Sequence, residues 1–270
     1  MLQAIVIIAR RLSGLYKPKM KSAKLILFTA LLGIVTQAFC QQPGFEIPDK
    51  GVSRFSEQII HHKGYTVSYN DEWLIPNWVA YELTTEECQG QASRSGSFAP
   101  DPDVTGHAAT TYDYSGTGWD RGHMAPAADM KWDSDAMAES FYLSNVCPQD
   151  NKLNGGLWLA TEKMARRWAE RDGKVYIVCG PIVESGYKTI GTNQVAVPSF
   201  FYKVVLRNHD GKWYAIGFLF PNANCEGFLY DYSFPVDIIE DRTGLDFFSA
   251  LPDDIEEQVE RDYKIKDWNS

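Results

Sequence analysis

The stretch Phe201-Tyr-Lys-Val-Val-Leu-Arg-Asn-His-Asp-Gly-Lys-Trp-Tyr-Ala-Ile-Gly-Phe-Leu-Phe220 consists of two apolar runs on either side of a polar turn. The runs cover residues 201–206 and 213–220, and the turn contains Asn208-His-Asp-Gly211. A third apolar run precedes them at 175–183. Short apolar runs bounded by turn residues are typical of strands buried on both faces. We therefore predict a meander of buried strands in this part of the chain.

Two further strands and a helix are predicted upstream of the meander. Tyr65–Tyr69 and Trp78–Leu83 are rich in β-branched and aromatic residues, as strands are. Between Asn154, a candidate N-cap, and Gly173, four residues follow the spacing of one helical face: Leu157, Thr161, Met164 and Trp168. Short helices are predicted in the tail, one of them opening at Pro252. Runs of strands with segregated helices favour the α+β class over a parallel α/β class.

The 270 residues, 44% of them hydrophobic, are enough for one sizeable core. We divide the chain into a leader at 1–40, an approach segment at 41–63 and one domain at 64–270. The leader contains a second Met at position 20, basic residues and the apolar run 25–35, as a signal peptide does. That run is shorter than the ~20 residues a membrane span needs. We therefore expect an exported protein, periplasmic or secreted, with no membrane span after processing.

The charge of the chain argues against generic binding to a polyanion. Residues 1–40 hold six of the 26 Lys and Arg residues and no acid, which leaves 20 basic against 35 acidic residues and a net charge near −15. Generic nucleic-acid binding depends on phosphate neutralisation by basic side chains. Any contact with nucleic acid is therefore expected to be local and assisted by a metal ion.

Four cysteines remain beyond the leader: Cys88, Cys147, Cys179 and Cys225. An even number in an exported chain is compatible with disulfides, and three pairings are open. The alternative is that some are small buried apolar side chains, Cys179 in its apolar run being one candidate.

The polar segment 84–118 leads into Trp119-Asp-Arg-Gly-His-Met-Ala-Pro126, which combines an acid, a guanidinium and an imidazole. A loop of this length is uncommon unless it is functional. His123 suits a general base, because an imidazole titrates near neutral pH. Arg121 would share one face of a strand with His123 and could clamp a phosphoryl group, whereas Asp120 would face the other way as a structural partner. The ordinary alternatives are a packed histidine and a surface ion pair between Arg121 and Asp120.

Asn154-Gly-Gly-Leu-Trp-Leu-Ala-Thr-Glu162 adds an amide oxygen and a carboxylate. The Asn154 carbonyl oxygen suits a hard cation such as Mg²⁺, which keeps several waters and takes few protein ligands. Glu162 lies about 12 Å further along a helix and should reach the waters of the ion rather than the ion itself. The alternatives are a helix cap for Asn154 and, for Glu162, a solvated carboxylate paired with Arg166.

These segments resemble the DNA/RNA non-specific endonuclease family, which includes endonuclease G. The resemblance rests on Asp120-Arg-Gly-His123, Ser144-Asn-Val-Cys-Pro-Gln149 and Asn154-x₇-Glu162, and extends over about residues 60–252. It implies a ββα-metal (His-Me finger) site on a mainly antiparallel sheet flanked by helices.

In that family the residue matching His123 is the general base, the one matching Asn154 is the single direct Mg²⁺ ligand, and the one matching Glu162 holds the water shell of the ion. The resemblance also implies that Arg121 and Arg94 contact phosphate. Asn145 and Gln149 are expected to support the site, and Mn²⁺ is an alternative to Mg²⁺.

The motif residues together with the resemblance predict a Mg²⁺-dependent hydrolase that cleaves DNA and RNA without sequence preference. The resemblance further implies that its products carry 5′-phosphates. An unperturbed imidazole base would make activity rise near pH 6.5. Two alternatives stay open. One is a phosphodiesterase acting on smaller substrates, suggested by the acidic charge. The other is a binding module on the same fold, since one fold can serve many functions. The sequence leaves the oligomeric state open.

Overall fold

Within residues 44–94 and 96–268, which are the part of the chain that the computed structural model describes, eleven strands are formed. Their bounds are β1 (Gln58–His61), β2 (Thr66–Asn70), β3 (Ile75–Thr84), β4 (Asp120–His123), β5 (Val146–Gln149), β6 (Lys174–Ile182), β7 (Lys188–Ile190), β8 (Val195–Val197), β9 (Phe200–His209), β10 (Lys212–Pro221) and β11 (Ser233–Phe234). The predicted leader, 1–40, lies outside the described residues.

Seven strands form one sheet in the order β1-β2-β3-β6-β9-β10-β11, and every neighbouring pair is antiparallel. Strands β4 and β5 form a separate antiparallel pair, as do β7 and β8. The prediction of an α+β fold with a mainly antiparallel central sheet is therefore confirmed.

The helices of the described residues are α1 (Thr85–Cys88), α2 (Ser134–Glu139), α3 (Asn151–Leu153), α4 (Leu159–Asp172), α5 (Val236–Thr243) and α6 (Asp253–Arg261). A π-helical turn, Asn154–Trp158, joins α3 to α4. Single 3₁₀ turns lie at Thr111–Tyr114, Leu143–Asn145, Leu229–Tyr232 and Ile265–Asp267.

The central sheet is buried on both faces, which explains why its strands are continuous apolar runs. Along β9, Phe201 and Val205 pack into a first core with Trp168 of α4. Tyr202 and Val204 point the other way, into a second core beneath α5 and α6. Successive side chains of a strand alternate between faces, so both sets must be apolar when both faces are covered.

The turn between β9 and β10 is a tight two-residue hairpin. Asp210 and Gly211 have positive φ angles of 51° and 81°, the combination that a type I′ turn requires. This turn matches the right-handed twist of the flanking strands, and it sets the register in which Lys212 pairs with His209.

Part of the segment predicted as an approach, 41–63, belongs to the sheet. Its residues Gln58–His61 form the edge strand β1, which pairs with β2. Phe45, Ile47 and Phe55 pack against the second core. The polar composition of this segment follows from its edge position, because only one side of an edge strand is paired.

The start of the predicted helix differs from the expectation for Asn154. The helical segment begins three residues earlier, with Asp150 as N-cap accepting hydrogen bonds from the backbone of Lys152 and Leu153. Asn154 has helical backbone angles, and the break in the helix falls at Gly156, whose φ and ψ are −107° and −111°. The helix-cap alternative for Asn154 is therefore wrong, and its side chain is available for other contacts.

Cys88, Cys147, Cys179 and Cys225 are all free thiols, so none of the three pairings left open by the sequence is formed. Cys147 and Cys179 are fully buried in the first core, as small apolar side chains are. Within 44–94 and 96–268, no helix combines the length and apolar character that crossing a membrane requires.

Candidate active site

The Asp120–His123 motif forms strand β4, which pairs with β5, and the close approach of the two strands depends on the glycine of the motif. Gly122 lies opposite Cys147 in the register of the pair. A Cβ atom at Gly122 would lie 2.2 Å from Oε1 of Gln149, far inside van der Waals contact. The glycine therefore allows β4 to lie directly on the buried Gln149 side chain.

One cavity of about 410 Å³ gathers most of the residues singled out in the sequence. Its walls include Arg94 from the long polar loop, Asp120, Arg121 and His123 from β4, Asn154 from the π-helical turn, and Glu162 from α4. Arg121 and His123 share this cavity as their two-residue spacing predicts. Asp120 lines it as well, although strand alternation alone would have turned it away.

His123 is held between aromatic rings, with centroid distances of 5.1 Å to Phe98 and 5.2 Å to Phe141. Its backbone oxygen accepts a hydrogen bond of 3.0 Å from Nε1 of Trp158, which fastens β4 to the π-helical turn. Its ring atom Nε2 is buried and has no hydrogen-bond partner among the described residues. Burial, and then the positive charge of Arg94, lower the pKa of His123 to about 4. The imidazole is therefore neutral at pH 7, as a proton acceptor must be.

Asp120 holds the amide of Asn154. Its Oδ2 accepts hydrogen bonds of 2.9 Å from Nδ2 of Asn154 and 3.1 Å from Nδ2 of Asn151. The Asn154 nitrogen is thereby committed to Asp120, and the amide oxygen is the atom left for a ligand. Partners that orient a metal ligand in this way commonly set its affinity.

The donor set of the cavity fits a hydrated hard cation. It offers the Asn154 amide oxygen and the carboxylates of Asp120 and Glu162, which are oxygen donors suited to Mg²⁺. Within the described ranges, the groups of three His, Cys, Asp or Glu side chains spaced closely enough to cage an ion lie elsewhere. A cation here would keep most of its waters, as Mg²⁺ usually does in proteins.

Glu162 is 7% exposed, and burial raises its pKa to about 7 against the opposing effect of the Lys203 charge. The i+4 ion pair with Arg166 that the sequence suggested is not formed, because Arg166 pairs with the buried Asp129. Glu162 thus has a buried carboxylate at the cavity wall with both charge states accessible near neutral pH.

The two arginines differ in how firmly they are held. The Nη2 atom of Arg121 donates a 3.0 Å hydrogen bond to the carbonyl of Thr111, and its guanidinium lies 5.3 Å from the centre of the Phe98 ring. It makes no surface ion pair with Asp120. Arg94 is exposed and lies 5.2 Å from the Phe141 ring centre. Arg121 is fixed by the fold, whereas Arg94 is placed at the rim.

Asn145 and Gln149 lie behind the cavity and do not line it. The Asn145 amide bonds to both backbone groups of Ala125, at 2.8 Å each, and to the carbonyl of Ser140. It thereby fixes the chain just after His123. Gln149 is fully buried beneath Gly122, and neither of its amide atoms has a partner within the described residues.

The sequence did not identify four residues that pack around the cavity residues: Phe98, Phe141, Trp158 and Lys203. Lys203 is fully buried, and its Nζ lies 4.4 Å from the centre of the Trp158 ring, a cation–π contact. A lysine inside the apolar run 201–206 was a visible signal, since lysine is almost never fully buried without a specific role. The aromatic residues carried no such signal, because they resemble ordinary core residues.

Comparisons with known proteins point in one direction. The model of the family described as DNA/RNA non-specific endonuclease matches residues 44–254. The mitochondrial nuclease EXOG of Danio rerio is 37% identical over 226 residues, covering 77% of this chain and 64% of its own length. Mitochondrial endonuclease G of Bos taurus is 35% identical over 205 residues, which cover 70% of this chain and 69% of the length of that relative. A chain in the crystal structure of the EndoG/EndoGI complex superposes with a TM-score of 0.69 at 29% identity. The match covers 74% of this chain and 89% of that chain. This chain spans less than two thirds of the EXOG relative.

The prediction of an exported protein, periplasmic or secreted, is wrong: relatives such as these are mitochondrial nucleases. The prediction depended on a basic, acid-free segment before an apolar run. Organelle transit peptides are also basic and poor in acids, so this composition does not separate the two destinations.

Proposed function

The chain belongs to the DNA/RNA non-specific endonuclease family, and from this premise we propose that it is a metal-dependent endonuclease that hydrolyses phosphodiester bonds of DNA and RNA without sequence preference. The observation that carries the proposal is the single cavity lined by His123, Arg121, Asn154 and Glu162. A base, a guanidinium, an amide oxygen and a carboxylate around one space are the groups that phosphodiester hydrolysis requires.

His123 acts as the general base on the attacking water. Its Nε2 has no hydrogen-bond partner within residues 44–94 and 96–268, and its low pKa keeps the ring neutral, so it can accept the proton as the water oxygen attacks phosphorus. The aromatic rings of Phe98 and Phe141 fix the imidazole plane and exclude bulk water from it. The bond between phosphorus and the 3′ oxygen breaks, and the leaving 3′ oxygen takes a proton from water, which leaves a 3′-hydroxyl on one product and a 5′-phosphate on the other.

Asn154 and Glu162 would hold the cation, Mg²⁺ or Mn²⁺, with Asn154 as direct ligand and Glu162 accepting hydrogen bonds from its waters. When bound, the cation supplies positive charge for the phosphoryl and leaving oxygens. Asp120 binds the Asn154 amide nitrogen, so the amide oxygen would be the atom available to the ion. Arg121, and Arg94 at the rim, contribute further positive charge to the phosphate.

The proposal is tested with His123→Ala, assayed on plasmid DNA and on RNA with Mg²⁺ and then with a chelator. Loss of a general base should lower the rate by about 10²- to 10⁴-fold on both substrates. The wild-type enzyme should lose activity in the chelator and recover it when Mg²⁺ is restored.

His61→Ala is the matched control, because His61 is exposed on the edge strand β1, its ring bonds to Thr66, and it does not line the cavity that contains His123. It should retain wild-type activity, and both variants should show wild-type circular dichroism. Undiminished nuclease activity in folded His123→Ala would contradict the proposal, and nucleic-acid binding without turnover in the wild type would favour a binding module.

A further inference from the structure

A second group of carboxylates lies far from the cavity, between the two C-terminal helices. Asp237 and Glu240 are three residues apart on α5 and share a face, and Glu260 projects from α6. One carboxylate oxygen from each of the three lies within 4.8 Å of the others. We call these three residues the α5–α6 carboxylate cluster.

Glu260 is the unusual member of the cluster. It is only 5% exposed, and its Oε1 has no hydrogen-bond partner within the described part of the chain. A buried carboxylate is almost always paired or bound to a metal, because removing its charge from water is costly. The fold nevertheless aims Glu260 at two other acids.

The charge around the cluster is strongly unbalanced. Asp246 and Glu256 add negative charge near Glu260, and Oε1 of Glu256 is also buried with no hydrogen-bond partner among the residues that the structure describes. The opposing positive charge comes from Arg261 in the last turn of α6, which acts on Asp237 at a distance while its Nε pairs with Asp262 at 3.6 Å. Within residues 44–94 and 96–268, no salt bridge to the cluster is formed.

We propose that the α5–α6 carboxylate cluster binds a calcium ion that joins the two helices. Ca²⁺ binds carboxylate oxygens at about 2.3–2.6 Å, so two oxygens bound to one ion can be up to about 5.2 Å apart. The carboxylate oxygens of the cluster lie within 4.8 Å of one another, inside that limit. Mg²⁺ demands a near-ideal octahedral geometry and usually keeps several waters, so Ca²⁺ is the better match for a site made of several carboxylates.

The ion would stabilise the second core rather than the catalytic cavity. Val236 and Ile239 of α5 and Val259 of α6 pack into that core, on the sheet face opposite α4. None of the three cluster residues lines the cavity that contains His123. The proposal is therefore independent of the nuclease function and concerns stability.

The test is calcium titration of the EDTA-treated full chain by calorimetry, together with thermal unfolding in CaCl₂ and in chelator. We expect calcium to bind the wild-type protein and to raise its Tm, and Glu260→Gln to lose both effects. Glu260→Gln should fold, because a neutral amide of the same shape removes the like-charge repulsion, and its Tm in chelator should equal or exceed that of the wild type.

Glu257→Gln is the matched control, since Glu257 is an exposed acid of the same helix. It should keep the calcium-dependent rise in Tm, and so should Asn154→Ala, which separates this site from the catalytic cavity. Asp237→Asn should lose the rise. The proposal is overturned if calcium leaves the wild-type Tm unchanged, or if it raises the Tm of Glu260→Gln as much as that of the wild type.

Discussion

Burial shifts the pKa values of the two cavity residues His123 and Glu162 in opposite directions, which assigns the rise of activity with pH to Glu162 instead of to the imidazole. The proposed base His123, with a pKa of about 4, is neutral over the whole working range, whereas Glu162, with a pKa of about 7, would have to lose its proton to accept hydrogen bonds from the waters of a cation. We therefore expect kcat/KM to rise with pH through a limb near 7 that belongs to Glu162 and not to the imidazole. A pH series on plasmid DNA measures this limb.

The assignment of the limb is checked with Glu162→Gln. This variant should be slower, because a neutral amide holds the waters of the ion less strongly. Its residual activity should stay constant between about pH 5 and 7, because burial has moved the pKa of His123 from its usual value near 6.5 to below this range. A limb near pH 7 that persists in Glu162→Gln would instead assign it to His123.

Asp120 illustrates how a residue outside the chemistry can control the metal. Asp120→Ala removes both asparagine hydrogen bonds, so the Asn154 oxygen is no longer held toward the cavity. The apparent affinity for Mg²⁺ should fall by about 10- to 100-fold, with a smaller change in kcat at saturating Mg²⁺. Metal titrations of activity measure both quantities, with Asp135→Ala, an exposed acid of α2, as the control. A fall in kcat with unchanged metal affinity would refute this role.

At the scale of elements, the pair β4–β5 depends on one glycine. Gly122→Ala would place a methyl group against Gln149, which is fully buried and cannot move into solvent. Overpacking of this kind costs about 1–3 kcal/mol, and the strain falls on the strand that carries His123. We expect a lower Tm and a lower kcat together. Gly155→Ala, where no atom lies within 4 Å of the added methyl group, should leave the Tm unchanged. Equal Tm values for the two variants would exclude the steric explanation.

At the scale of the whole molecule, buried acids make stability depend on pH in an unusual direction. The pKa values of Glu162 and Glu240 are raised from 4.5 to about 7, and that of Glu260 to about 9, chiefly by burial. The folded state binds these protons more tightly than the unfolded state, so the free energy of unfolding should decrease as pH rises from about 4.5 to about 9. His123 acts oppositely, because its lowered pKa removes stability as pH falls from 6.5 to about 4.

Urea unfolding in chelator across this pH range measures the effect. The decrease between about pH 7 and 9 should belong to Glu260 and should flatten in Glu260→Gln. Stability that is constant over pH 7 to 9 in the wild type, or an identical slope in the variant, would contradict the assignment.

Local sequence patterns were sufficient to predict the central strands, the β9–β10 turn and the long helix. Each depends on periodicity and turn chemistry within about ten residues, as the run 201–206 and the Asp210-Gly211 turn show. The motif residues His123, Arg121, Asn154 and Glu162 were also readable from the chain, because the chemistry they offer depends on residue type and spacing.

Only the tertiary structure decided how these residues act. The cap at Asp150, the Asp120–Asn154 hydrogen bond and the ring contacts of His123 join segments that are distant in the chain. Burial, which sets the pKa values of His123, Glu162 and Glu260, likewise depends on which elements pack together. Sequence by itself determined the chemical groups and the local elements, whereas desolvation and long-range contacts, which arise only on packing, determined their charge and orientation.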